Sequence, residues 1–165
     1  MPKIWVVNAS PVITLAKAGH LALLTEQADE LLLPDAVVLE LLAGPPSDPA
    51  RRVLEGGWGR RVSIANVPAA VLEWGLGPGE AEVIAVALEQ GDRLAVLDDA
   101  QGRKCARSLG VPVVGTLGVV LRAKKLGRLT SAAQVLRDLQ GAGLYLDQEM
   151  IRSVLKQVAG EEWQP

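Results

Sequence analysis

The 165-residue sequence predicts an α/β fold built on a parallel sheet, and three observations carry that reading. Short, wholly apolar runs alternate with longer stretches of helical periodicity, the pattern of strand–helix–strand units. Glycine and proline fall where such units begin and end. Apolar residues make up 49% of the chain, enough to close one core.

Ile4-Trp5-Val6-Val7 reads as a buried strand. Ser10 then suits an N-cap, Pro11 the first helical position, and Gly19 the helix end. A helix over 20–28 leads to a strand at Leu31-Leu32-Leu33. Pro34 opens the next helix, which Gly44-Pro45-Pro46 stops. Residues 47–79 are the least regular, with a short helix at 50–55 and a strand at 61–65. Gly77-Pro78-Gly79 launches a helix over 80–90, followed by a strand at 94–97, a helix to 109 and a strand at 111–114. Helices are expected at 116–127, 131–140 and 147–159. Residues 1–160 form one domain, and 161–165 should be a frayed tail.

Composition excludes several classes. Alanine, leucine and valine supply 68 of the 81 apolar residues, while aromatics are 3% of the chain. A reader that stacks bases along an aromatic platform is therefore not expected. Cys105 is the lone cysteine, which excludes a disulfide scaffold, and it shares an apolar stripe with Ala106 and Leu109. His20 is the lone histidine, so neither a zinc site nor a Ser-His-Asp triad has its parts; it reads as a surface residue. No phosphate-binding glycine loop has the required spacing. Asn8, Ser10 and Pro11 interrupt the first apolar run, and no run approaches a membrane span, so a cytoplasmic protein without membrane contact is expected.

Parallel strands deliver their C-terminal ends to one edge, where α/β proteins bind ligands. Two apolar strands end there in polar residues: Val7 is followed by Asn8, and Leu97 by Asp98 and Asp99. Asp99 could cap the helix beginning near Ala100, but one cap does not need two adjacent like charges. Glu40 has only Ala36, Val37, Ala43 and Gly44 at helical spacing, so its carboxylate should point into a cleft and find a partner. Glu80 shares a stripe with Val83, Ile84 and Ala87. Glu82 aligns with Glu89 and reads as solvent-facing, which leaves Glu80 the better site candidate. Carboxylates converging without His or Cys suit a hard cation, Mg²⁺ or Mn²⁺, acting on phosphate.

The formal net charge of −2 conceals a division. Residues 18–50 hold six acidic and no basic side chains. Residues 100–137 hold eight basic and no acidic ones: Arg103, Lys104, Arg107, Arg122, Lys124, Lys125, Arg128 and Arg137. A basic patch next to Asp98-Asp99 could hold a phosphate backbone.

Together these pieces resemble the PIN domain of VapC-type toxin ribonucleases, in particular a prokaryotic subgroup described as predicted nucleic-acid-binding. The resemblance lies in Val6-Val7-Asn8-Ala9-Ser10-Pro11-Val12-Ile13, Leu33-Pro34-Asp35-Ala36-Val37 with Glu40, Leu76-Gly77-Pro78-Gly79-Glu80-Ala81-Glu82, Leu97-Asp98-Asp99 with Arg103, and Gly110 to Gly118. It implies a three-layer α/β/α sandwich around four or five parallel strands and metal-dependent RNA cleavage. It places Asn8 at the first acid position with Ser10 as hydroxyl companion, Glu40 at the second, Glu80 or else Glu82 at the third, and Asp98 or Asp99 at the last. These residues would hold Mg²⁺ or Mn²⁺, and Arg103, Lys104, Arg107, Arg122, Lys124 and Lys125 would hold RNA. An antitoxin protein and a homodimer are the implied partners. The family usually has Asp where this chain has Asn8, which leaves open a weak nuclease or an inactive binding module.

Overall fold

A computed structural model describes residues 2–165. Five parallel strands, β1 (Ile4–Val7), β2 (Glu30–Pro34), β3 (Arg60–Val62), β4 (Leu94–Val96) and β5 (Val113–Val114), form one sheet in the order β3-β2-β1-β4-β5. Ten α-helices join and cover them: α1 (Ala9–Lys17), α2 (Ala22–Thr25), α3 (Asp35–Leu42), α4 (Pro49–Glu55), α5 (Ala69–Leu72), α6 (Pro78–Leu88), α7 (Ala100–Ser108), α8 (Thr116–Lys125), α9 (Ala132–Gly141) and α10 (Gln148–Val154). A π-helical turn, Leu155–Ala159, extends α10. The result is a three-layer α/β/α sandwich.

The strands form where the apolar runs are, because a parallel strand covered on both faces needs apolar side chains on each. Val6, Val7, Leu33, Ala95, Val96 and Leu97 are wholly buried. Helix α6 packs on β1, β2 and β4, and its alanine- and valine-rich sequence lets it lie close to the sheet. No helix among the described residues is long and apolar enough to cross a membrane.

Strand order shows where the sheet offers a crevice. The chain winds outward from β1 to β2 and β3, then returns across the sheet to β4 and continues to β5. The winding reverses between β1 and β4, and the C-terminal ends of strands at such a reversal frame the binding crevice of an α/β sheet. Val7 pairs with Val96 there, so Asn8 and the Asp98-Asp99 pair emerge side by side.

Several local expectations change. Helix α1 starts at Ala9, so Asn8 takes the N-cap position without a side-chain cap bond, and Pro11 is the third helical residue. Proline is tolerated there because the first-turn N–H groups lack intrahelical acceptors in any case. The expected helix at 20–28 contracts to α2 because its ends are tight turns. His20 is half-buried rather than merely superficial: its Nε2 lies 2.7 Å from Asp138 Oδ2, which ties the α1–α2 turn to α9. Hydrogen bonds from His20 and Gln134 hold the Asp138 carboxyl below the usual aspartate value. Cys105 is in the core as expected, and burial pushes its thiol up.

Residues 161–165 do not fray. The Glu161 carboxylate accepts bonds from the backbone N–H groups of Ala132 (2.9 Å) and Ala133 (3.1 Å) and from the Ser131 hydroxyl (3.1 Å), closing the N-terminus of α9. Lys124 stands 3.3 Å from it. Trp163 is buried, donates to Gln148 Oε1 at 2.7 Å and lies under the Arg137 guanidinium. An orphaned helix end and an indole needing cover supply the physical reason for docking.

Candidate active site

Asn8, Glu40 and Glu80 come from three elements. The end of β1 delivers Asn8, the last turn of α3 Glu40 and the first turn of α6 Glu80. Asn8 is 2% exposed, and its Nδ2 donates to Glu80 Oε1 at 3.2 Å. Its Oδ1 is buried without any hydrogen-bond partner among the described residues. Such an orphaned acceptor costs about 1–3 kcal/mol unless something electropositive meets it.

Glycine makes the room for this grouping. A Cβ on Gly79 would fall 2.9 Å from Asn8 Oδ1 and 3.6 Å from Glu40 Oε1, so both oxygens converge on the backbone of α6 where no side chain intrudes. A Cβ on Gly77 would meet Glu80 Oε2 at 2.7 Å. The Gly77-Pro78-Gly79 sequence is therefore both a helix start and a cradle for three polar side chains.

Glu40 is more exposed than expected and has no hydrogen-bonded partner among the described residues. Burial pushes its carboxyl up, and the Glu80 charge pushes it further. The Glu40 carboxyl beside the Glu80 charge, next to an unpaired amide oxygen, makes a set of hard oxygen donors lacking positive charge. That donor set fits Mg²⁺ or Mn²⁺.

The remaining acids divide between two tasks. Asp99 caps α7, its Oδ2 accepting from Gly102 N at 2.7 Å, yet it also lines a small cleft with Glu80, Trp74 and Gln101. Asp98 turns the other way, towards α8. Thr116 N donates to its Oδ1 at 2.7 Å and Thr116 Oγ1 to its Oδ2 at 2.6 Å, so both oxygens are engaged. Thr116 is fully buried. Arg103 donates to the Asp98 carbonyl.

The four carboxylates therefore do not meet at one point. Among the described residues no three acidic, histidine or cysteine side chains gather within metal-binding reach. The grouping found is two glutamates and an amide, with Asp99 beside it and Asp98 bound elsewhere. Nor does Glu82 face solvent as its alignment with Glu89 predicts. Its Oε2 accepts from Ala36 N at 2.7 Å, capping α3 from a neighbouring helix and fixing Glu40's helix against Glu80's. Ser10 is exposed on α1, and its carbonyl accepts from the Thr14 hydroxyl.

The basic block is also divided. Arg103 and Arg107 line a cleft beside Asp98. Lys104 shares their helix and is exposed. Helix α8 carries Arg122, Lys124 and Lys125 away from this edge, since ten residues span about 15 Å. Arg122 lies over the Trp5 ring near the starts of β1 and β4, at the opposite edge. Lys124 is bound to the Thr130 carbonyl and Glu161, and Lys125 is exposed in the same last turn. One continuous patch next to Asp98-Asp99 is thus not what the fold builds.

Sequence reading missed Thr116 as the partner of Asp98, and Trp74 and Gln101 as neighbours of Glu80. The Gly115-Thr116-Leu117-Gly118 motif was a signal for the first. Nothing in the periodicity indicated the others.

A three-layer α/β/α protein with an acidic group at the reversal point of its parallel sheet is the class that this fold and site define. A family model described as a PIN domain matches residues 4–160, nearly the whole chain, and the chain belongs to that family. No curated protein matches it.

Proposed function

We propose that this protein is a Mg²⁺- or Mn²⁺-dependent endoribonuclease whose metal is held by Glu40, Glu80 and the Asn8 side-chain oxygen, with Asp99 completing the site. The unpartnered Asn8 Oδ1, converging with Glu40 on Gly79 while its amide bonds Glu80, is the observation that carries this reading. A divalent cation supplies Lewis acidity towards a phosphate oxygen and a water. Glu40 and Glu80 come from different helices, and both would hold the cation. Gly79 leaves the approach open, and Asn8 contributes an oxygen without charge. Asp99, anchored through Gly102, keeps one oxygen for the Glu80 cleft. Arg103 and Arg107 supply positive charge for the phosphate backbone next to that cleft. Asp98 acts through Thr116, holding α8 against the end of β4.

The cellular setting we propose is the toxin half of a toxin–antitoxin pair in the cytoplasm, supported by membership of the PIN family. A homodimer belongs to the same proposal. The test is cleavage of a labelled RNA by purified protein in Mn²⁺ and in EDTA, with Glu80→Gln alongside. Cleavage that requires Mn²⁺ and fails in the variant supports the reading, and absence of cleavage refutes it. Induction in a bacterial host tests the toxin role: growth arrest with wild type and none with Glu80→Gln is expected.

A second reading is favoured by one observation. Asn8 spends its Nδ2 on Glu80 and brings no charge to the position where the family usually has Asp. The protein would then be a catalytically weak or inactive PIN module that binds RNA or a protein partner. Metal-dependent cleavage abolished by Glu40→Gln excludes it.

A further inference from the structure

Beside the proposed metal site is a second cleft of about 410 Å³, within the size range of small-ligand pockets. Asp98 lines it, while Asp99 lines the cleft of Glu80, so the two adjoin at the end of β4. One wall is cationic. Arg103 and Arg107 are one turn apart on α7; Arg103 is steadied by the Asp98 carbonyl, and Arg107 pairs with no carboxylate among the described residues. The other wall is apolar and comes from Leu117 and from the segment before and within α10, where Tyr145 is 89% exposed and Met150 44%. Two acids also face the cleft, but they are occupied: Asp98 by Thr116, and Asp147 through its Oδ1 by Met150 N at 2.9 Å.

We propose that this cleft is a nucleotide subsite for single-stranded RNA, with a base against Tyr145 and Met150 and its phosphate on Arg103 and Arg107. The inference rests on the nuclease reading and adds to it the class of RNA and the side from which the strand reaches the metal. An exposed phenol ring lining one cleft with apolar side chains and two guanidinium groups matches the two halves of a nucleotide, a planar π-face and an anion. A base can lie on Tyr145 only when it is unstacked from its neighbours, which selects single strands over duplex. Trp74, 37% exposed, offers a second ring at the Glu80 cleft. Two exposed rings are thus added to the phosphate contacts that the basic side chains predict.

The test is fluorescence anisotropy with a labelled short oligoribonucleotide, single-stranded or annealed to its complement, in EDTA so that no cleavage occurs. Wild type should prefer the single strand. Tyr145→Ala should weaken that binding about 5-fold or more, as loss of one stacking ring does, and Tyr145→Phe should restore it. Arg107→Ala should weaken binding and reduce the slope of log K against log salt by roughly 0.7. Unchanged binding in Tyr145→Ala and Arg107→Ala, failure of Tyr145→Phe to restore it, or a preference for duplex overturns the subsite. So does wild type that binds no RNA, and the cleft then belongs to an acidic protein surface. Cleavage that survives all of these leaves the metal site standing while the subsite falls. Tyr145-dependent binding by a protein that never cuts leaves the subsite standing while the nuclease reading falls.

Discussion

Glu161 and the Glu40–Glu80 pair are acidic groups in two regions of the molecule with opposite fates. Burial pushes Glu161 up, but the N–H groups of Ala133 and Ala132, the Ser131 hydroxyl and Lys124 outweigh it and leave the carboxyl below its usual value. Glu40 is pushed up by burial and again by Glu80, with no donor to bring it back. One carboxylate serves the fold and is satisfied within it. Glu40 stands by Glu80 with no protein donor to satisfy it, and an adjacent amide oxygen is left without one too. A site separates from a structural acid by this deficit rather than by the number of acids present.

The comparison breaks most visibly in catalysis. Glu80→Gln should lower the rate of RNA cleavage in Mn²⁺ by roughly 100-fold or more, at or beyond the upper range for residues supporting a metal site. Glu161→Gln should leave that rate unchanged. Equal loss in both variants would mean that the contrast is one of stability alone.

Stability should run in reverse. Glu161→Gln removes a charged acceptor from three donors, with an expected cost of about 1–3 kcal/mol. At this chain length that lowers Tm by roughly 2–12 °C. Glu161 has a lowered folded value, so its contribution is present above the ordinary glutamate value and is lost as pH falls through the lowered one. The difference in Tm between wild type and Glu161→Gln should therefore shrink in acid, and scanning calorimetry along a pH series measures it.

Asn8→Asp sharpens the contrast by adding to the deficit. A third negative charge beside Glu40 and Glu80 should lower Tm in EDTA by about 2–4 °C for each kcal/mol of repulsion, and Mn²⁺ should recover it. A variant equally stable with and without Mn²⁺ would show that no cation joins these groups.

The smallest effect concerns protons. Because Glu40 holds its proton to higher pH than an ordinary glutamate, Mn²⁺ affinity should weaken as pH falls through that raised value, and binding near it should release a proton. Titrations in two buffers of different ionisation enthalpy read the released proton directly. Asp98→Asn, by contrast, should leave Mn²⁺ affinity unchanged, since both Asp98 oxygens are engaged by Thr116.

Much of the fold was legible because its strands are runs such as Ile4-Trp5-Val6-Val7, too apolar for any exposed element, with Gly and Pro at the helix ends. Asn8, Glu40 and Glu80 were legible as candidates for a related reason, as polar residues interrupting apolar patterns. What was not legible depends on partners distant in sequence. Glu82 caps α3 across 46 residues, Asp98 binds Thr116 across 18, and Glu161 closes α9 across 28 and 29. Helical periodicity records which side of a helix a residue occupies, but not which foreign helix end waits there. Glu82 and Glu161 consequently read as solvent-facing and frayed, when each serves as a cap supplied from elsewhere in the fold.

Calorimetric titration of Mn²⁺ into the purified protein tests the central claim most directly. Wild type and Glu161→Gln should both show saturable binding, and Glu80→Gln should lose it. No binding heat in wild type, or the same isotherm in wild type and Glu80→Gln, would contradict a cation site at Asn8, Glu40 and Glu80.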